Sequence, residues 1–248
     1  MSGLDSSLQP LFERLTGFLQ PGEELYLVGG SVRDALLGMP LHDLDFAVSG
    51  DVRRLARKAG DLLGGKFYML DARHQTARVI LARSGEADLW LDFAGLRAEG
   101  LEGDLRGRDF TMNAIAIDVR QPKLLVDPLG GAADLKAGIL RACSPSSLRD
   151  DPVRVLRAVR FAVAMKLRMD DDLRSALREA APLLVNVSAE RLRDELFRIW
   201  GGRQVSSAMR VLETLGVLQY ALPELAVLVD SPQGAPHVYD VWNHTLAV

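Results

Sequence analysis

Two aspartates one residue apart, Asp43 and Asp45 in the run Asp43-Leu44-Asp45-Phe46, are the residues whose type and spacing most directly offer chemistry. Residues two apart on a strand point to the same face, so a strand here would bring two carboxylates together. Like charges held that close need a counterion, and an oxygen-only pair favours a hard divalent cation, magnesium. Taken alone, the pair would equally suit an acidic strand end facing solvent. The preceding run Leu27-Val28-Gly29-Gly30-Ser31-Val32-Arg33-Asp34 changes that reading. Glycines between a strand and a helix start let backbone N–H groups approach an anion, and Arg33 can add a charged donor one turn in. Asp92, in Leu91-Asp92-Phe93, is the candidate third carboxylate, brought in by a neighbouring strand. Three carboxylates would complete a two-metal site that activates a hydroxyl and stabilises a leaving pyrophosphate. A surface aspartate at a strand end is the competing reading of Asp92.

Three further blocks follow. Arg106-Gly107-Arg108-Asp109-Phe110-Thr111-Met112-Asn113 brings an arginine, an acid and an asparagine into an apolar stretch, a set suited to triphosphate and sugar hydroxyls. Asp127-Pro128-Leu129-Gly130-Gly131 reads as a turn and helix start, a scaffold for the block before it. In Asp150-Asp151-Pro152-Val153-Arg154-Val155-Leu156-Arg157-Ala158-Val159-Arg160, Pro152 suits a first helical turn. Asp151, Arg154 and Arg157 recur every three residues on one flank. A carboxylate accepts and a guanidinium donates, whereas cytosine and adenine each offer an amino donor beside a ring-nitrogen acceptor. Guanine and uracil present the reverse order. Such a flank could accept C and A and reject G and U without a template; a plain surface ion pair is the alternative.

These residues need particular elements to position them. Leu8, Leu11, Phe12, Leu15 and Leu19 predict an opening helix ended by Pro21-Gly22. Strands are expected at 25–28, 43–48, 66–70, 77–82 and 89–93. A short helix is expected at 32–37, and a longer one capped by Asp51 runs to Leu63 with Leu55, Ala59 and Leu62 inward. From about Ser144 the pattern becomes helices at 152–165, 171–184, 189–200 and 204–215, with Val155, Leu156, Val159 and Val163 as one buried stripe. The fold class is α+β: a mixed-sheet head at 1–140, a helical neck at 141–202 and the start of a helical body at 203–248.

Composition sets outer bounds. Among 248 residues, 48% are hydrophobic and 25% charged, ordinary for a globular chain, and no apolar run is long enough to span a bilayer. The start, MSGLDSSLQP, lacks the layout of a signal peptide, so a cytoplasmic protein is expected. The lone Cys143 excludes an internal disulfide and a cysteine-built zinc site, and reads as a small buried hydrophobe. Net charge is −3, yet residues 141–210 carry 14 basic and 9 acidic side chains, a local excess that suits a polyanion.

Together the blocks resemble the class II tRNA nucleotidyltransferase and bacterial poly(A) polymerase family of the polymerase-β-like superfamily, in order from about Leu25 to Trp200. The resemblance implies that Asp43 and Asp45 bind catalytic magnesium, that Gly29, Gly30, Arg33 and Arg108 hold the triphosphate, and that Asn113 lies near the sugar. It makes Asp151 and Arg154 the base-reading pair, with Arg157 and Arg160 assisting. Ser188–Trp200, containing Glu190-Arg191 and Glu195, resembles the family's supporting neck motif. The implied partners are the tRNA 3′ end and CTP or ATP, with no membrane.

Some positions depart from the family pattern. Gly107-Arg108-Asp109 stands where Arg-Arg-Asp is usual, and Asp150-Asp151 where Glu-Asp is usual. The connection from Arg97 to Arg108 is short. Members that add the whole CCA end tend to have a longer one that acts as a lever, so this chain resembles the CC-adding specialists. A-adding enzymes and poly(A) polymerases are the alternatives within the family. A non-catalytic nucleotide- or RNA-binding protein, or a fragment of an HD phosphohydrolase, is the alternative outside it. The run His237–Val248 resembles the start of an HD-type domain and reads as a helix cut in mid-pattern, so the native chain is expected to be longer.

Overall fold

Two paired strands at the centre of a sheet organise the first part of the protein. The computed structural model describes residues 8–85 and 87–248. Strand β1 (Glu24–Val28) follows helix α1 (Gln9–Thr16), and helix α2 (Gly30–Leu36) leads into β2 (Asp43–Ser49). Helix α3 (Val52–Leu63) precedes β3 (Lys66–Asp71), β4 (Thr76–Leu81) and β5 (Leu89–Gly95). Helix α4 (Gly100–Arg106), strands β6 (Ala116–Asp118) and β7 (Leu125–Val126) and helix α5 (Gly131–Ala137) follow.

The seven strands form one sheet in the order β3-β4-β5-β2-β1-β6-β7. The β2/β5 pair is parallel and the other neighbours are antiparallel. The register pairs Asp45 with Asp92 and Phe46 with Phe93. Because side chains alternate across a strand, the phenyl rings stack on one face, centroids 5.2 Å apart. The carboxylates project from the other face. The core face joins Leu25, Leu27, Leu44, Leu91 and Val79 to Val52, Leu55 and Ala59 of α3.

Helix α3 is capped as its sequence predicts: the Asp51 side chain accepts from the Arg54 N–H. Leu62, expected inward, is 43% exposed. At 100° per residue the buried set Val52, Leu55, Ala56 and Ala59 centres near Leu63, which packs partly against the core.

The chain divides into two compact units between Lys136 and Ala137. The second contains β8 (Ile139–Leu140), α6 (Ser147–Asp150), α7 (Arg154–Ala164), β9 (Arg168–Met169) and α8 (Asp171–Ala180). Next come α9 (Ala189–Trp200), α10 (Val205–Thr214) and the short helices α11 (Leu218–Ala221), α12 (Pro223–Ala226) and α13 (Val241–Ala247). It is helical apart from a two-residue parallel pairing of β8 with β9, too short to show a period in sequence. Helix α7 buries Val155, Leu156, Ala158, Val159, Phe161 and Ala162. Among the described residues no helix is long and apolar enough to cross a membrane.

Candidate active site

The β1–α2 turn and the start of β2 are tied together by one buried hydroxyl. Ser31 Oγ donates to the Asp43 carbonyl at 3.1 Å and accepts from the Asp45 N–H at 2.8 Å. This bond pair fixes the strand segment that carries both acids, although Ser31 looks unremarkable in sequence. Asp43 is exposed and Asp45 half-buried. Burial, and then the neighbouring Asp92 carboxylate, push the Asp45 carboxyl above its ordinary range; Arg108 opposes the shift and Asp43 adds to it. A site that resists a second negative charge in this way suits a cation bound by oxygen.

Asp92 lies beside Asp45 across the parallel pair. Both its oxygens accept from Arg78, each at 2.7 Å. The same guanidinium lies 4.3 Å over the Trp90 ring. Among the described residues, no three Asp, Glu, His or Cys side chains gather closely enough to form a metal cluster.

The glycine turn meets the second block. Gly29 has φ +70°, and a Cβ there would stand 2.8 Å from an Arg108 guanidinium nitrogen. The turn therefore needs glycine for its backbone angle, and a side chain there would have to displace the end of Arg108. Arg108 Nε and Nη2 donate to Asp104 Oδ2 at 3.2 and 3.0 Å. Asp104 is 6% exposed and also accepts from the Arg97 N–H at 3.1 Å. Asp104 thus anchors Arg108. Sequence reasoning missed it, although an acid four residues before an arginine is the usual signal of a helical pair. Arg97, Asp104, Arg108, Asp45 and Asp92 share a cavity of about 210 Å³.

Arg33 belongs to the same assembly. Its Nη1 donates to Asn113 Oδ1 at 2.8 Å, Asn113 Nδ2 donates to Asp109 Oδ1 at 3.0 Å, and that oxygen also accepts from the Phe110 N–H at 2.8 Å. Asn113 and Asp109 are buried. The third block braces this turn: Asp127 accepts from the N–H groups of Gly131 and Ala132, and Thr111 Oγ1 donates to Asp134. A Cβ at Gly131 would lie 1.9 Å from the Thr111 carbonyl oxygen.

In the second unit Asp151 and Arg154 are neighbours, with Arg154 Nε 3.8 Å from Asp151 Oδ2. Arg157 and Arg160 turn instead to Glu195 of α9, which is 3% exposed. Arg160 Nε hydrogen-bonds Glu195, and an Arg157 nitrogen lies 3.9 Å from it. Burial depresses the Arg160 guanidinium pKa, an effect that Glu195 opposes.

Residues 25–141 match the family described as "Poly A polymerase head domain", and 166–228 the one described as "Probable RNA and SrmB- binding site of polymerase A". The CC-adding tRNA nucleotidyltransferase of Geobacter sulfurreducens is 42% identical over 174 residues, which cover 70% of this chain and 40% of that protein. The A-adding tRNA nucleotidyltransferase of Deinococcus radiodurans is 40% identical over 223 residues, 88% of this chain and 49% of that protein. The chain belongs to the tRNA nucleotidyltransferase and poly(A) polymerase family. A solved structure described as a CCA-adding enzyme with ATP superposes with a TM-score of 0.80 at 30% identity, covering 94% of this chain and 55% of that one. The chain thus spans about half the length of these family members. Asp43, Asp45, Asp92, Arg108 and Asn113 all lie inside the head-domain match, whereas 151–160 falls between the two matches.

Proposed function

We propose that this protein transfers nucleotides, C above all, from a nucleoside triphosphate onto the 3′ end of tRNA without a template, releasing pyrophosphate. The observation that carries this reading is the in-register placement of Asp45 beside Asp92, next to an Arg108 held against the Gly29 turn. Acid for a cation and base for a polyphosphate stand side by side.

Asp43 and Asp45 would hold magnesium, since both offer oxygen and burial together with the Asp92 carboxylate already disfavours the bare negative charge of Asp45. When bound, the ion supplies positive charge for the attacking hydroxyl and the departing pyrophosphate. Asp92, the third carboxylate, adds to the negative potential beside Asp45, and Arg78 sets its direction. Gly30 offers a backbone N–H to the triphosphate, whereas Gly29, whose N–H donates to the Ile115 carbonyl, shapes the turn that lets the phosphate approach; Arg33 and Arg108 offer guanidinium groups. Asn113, oriented by Asp109, donates near the sugar. Asp151 and Arg154 read the base edge, with Arg157 and Arg160 firming their helix through Glu195. The head thus comprises 1–140, the neck 141–202 and the opening of the body 203–248, and the protein works in the cytoplasm.

Addition of two cytidines fits the short connection after Arg97. It is taken up by α4, where Arg106 pairs with Glu102 and Asp104 grips Arg108, an arrangement unlike a free lever. Relatives that add CC and relatives that add A both align with the chain, so product length is the deciding measurement. Purified protein is incubated with tRNA lacking its CCA end, magnesium and each labelled triphosphate in turn. Two added cytidines are expected. A single A on tRNA ending in CC, or a long tail, would replace this reading by the A-adding or poly(A) alternative. Asp43→Ala should abolish transfer and leave tRNA binding nearly intact, and equal loss of both would assign Asp43 to folding.

A further inference from the structure

An Asp/Arg pair spaced i,i+3 on one helix flank has a built-in fault as a reader of bases. Left to itself the pair closes on itself, and carboxylate and guanidinium satisfy each other instead of an incoming base edge. In this protein the two groups are pulled apart from both sides. Arg191, in the first turn of α9, donates from Nη2 to Asp151 Oδ1 at 3.0 Å and to Oδ2 at 2.8 Å. On the other side, Arg154 Nη1 donates to the Ser147 carbonyl at 3.2 Å and to its hydroxyl at 2.8 Å. Ser147 is 1% exposed, so that anchor is fixed. Between these grips the pair remains 3.8 Å apart. Four residues beyond Arg191, Glu195 takes the arginines of the same α7 flank, so α9 matches the flank charge for charge.

We infer that Arg191 is a positioning residue for base selection: by holding the Asp151 carboxylate away from Arg154 it keeps acceptor and donor separately available to the base. The inference rests on the base-reading role proposed for Asp151 and Arg154. Arg191 is 54% exposed on its side chain, so its loss should spare folding. Without it, Asp151 closes on Arg154 and the edge specific for C and A is lost.

The test compares Arg191→Met, Arg191→Lys, Ser147→Ala and Asp151→Asn. Incorporation of C and of U on tRNA lacking its CCA end is measured as kcat/KM, and the Kd of CTP and UTP is measured separately with magnesium. Arg191→Met is expected to cut the CTP-over-UTP ratio about tenfold, the scale of a lost hydrogen bond to a charged group. The loss should appear mainly in KM and Kd for CTP. Arg191→Lys should recover part of it, and Ser147→Ala, acting from the opposite side, should show a loss of the same kind. A purely structural Arg191 would lower the melting temperature and leave the ratio unchanged, which overturns the inference. If Asp151→Asn also leaves the ratio unchanged, the base-reading proposal itself fails. If Asp151→Asn moves it and Arg191→Met does not, only the role of Arg191 falls.

Discussion

At the scale of single residues, Asp45 bears the electrostatic cost of the site. Its carboxyl is pushed upward by burial and then by Asp92. A carboxyl with a higher pKa folded than unfolded subtracts stability once the pH passes the unfolded value, because the unfolded chain ionises more readily. Asp45→Asn is therefore expected to raise the melting temperature of the metal-free protein at pH 7. The same substitution should slow transfer by at least about 10²-fold, the scale of losing one electrostatic group at a reacting centre. A drop in melting temperature would show that the charge supports the fold. Gly29 carries a different cost. Gly29→Ala would force an L side chain to φ +70° and crowd Arg108, at about 1–3 kcal/mol of strain. Weaker triphosphate binding in a still-folded protein, measured by calorimetry, is the expected result.

At the scale of elements, α4 and α5 are braces for the phosphate side of the site. Asp104→Ala removes the acceptor for Arg108 and for the Arg97 N–H and should raise KM for triphosphate. It should also cost about 1–3 kcal/mol of stability, the range for a buried group left without its partner. Gly131→Ala, which drives a methyl group into the Thr111 carbonyl, should lower the unfolding free energy read from a urea titration by about 1–3 kcal/mol through overpacking. These braces were the least legible part of the sequence. Strand β2 announces itself through Asp-Leu-Asp-Phe-Ala-Val, α3 through its Asp51 cap, and α7 through its buried valines, because each has a period or a cap to read. Helix α4 contains two glycines in seven residues and shows little amphipathic pattern. Strands β6 to β9 have two or three residues each, and their pairing depends on neighbours distant in sequence. The anchoring roles of Ser31, Asp104, Arg78 and Ser147 likewise arise from contacts that only folding creates. The residues proposed for chemistry could be named from spacing, but the residues that hold them could not.

At the scale of the whole molecule, the charge is close to balanced, with basic excess confined to 141–210. On the proposed function, tRNA affinity should fall about tenfold to a hundredfold between 50 and 200 mM salt, as expected for only a few phosphate contacts. A flat salt response in a filter-binding titration would place RNA recognition on uncharged surfaces. The sheet adds a constraint of its own. Phe46 stacks on Phe93 in the same register that sets Asp45 beside Asp92. Sliding β5 by one residue along β2 would turn Phe93 away from Phe46 toward water and carry Asp92 into the interior. Competence is thereby coupled to collapse: a chain misaligned enough to lose its acidic pair has also lost its interior, so spent but soluble enzyme should be scarce in any folded preparation.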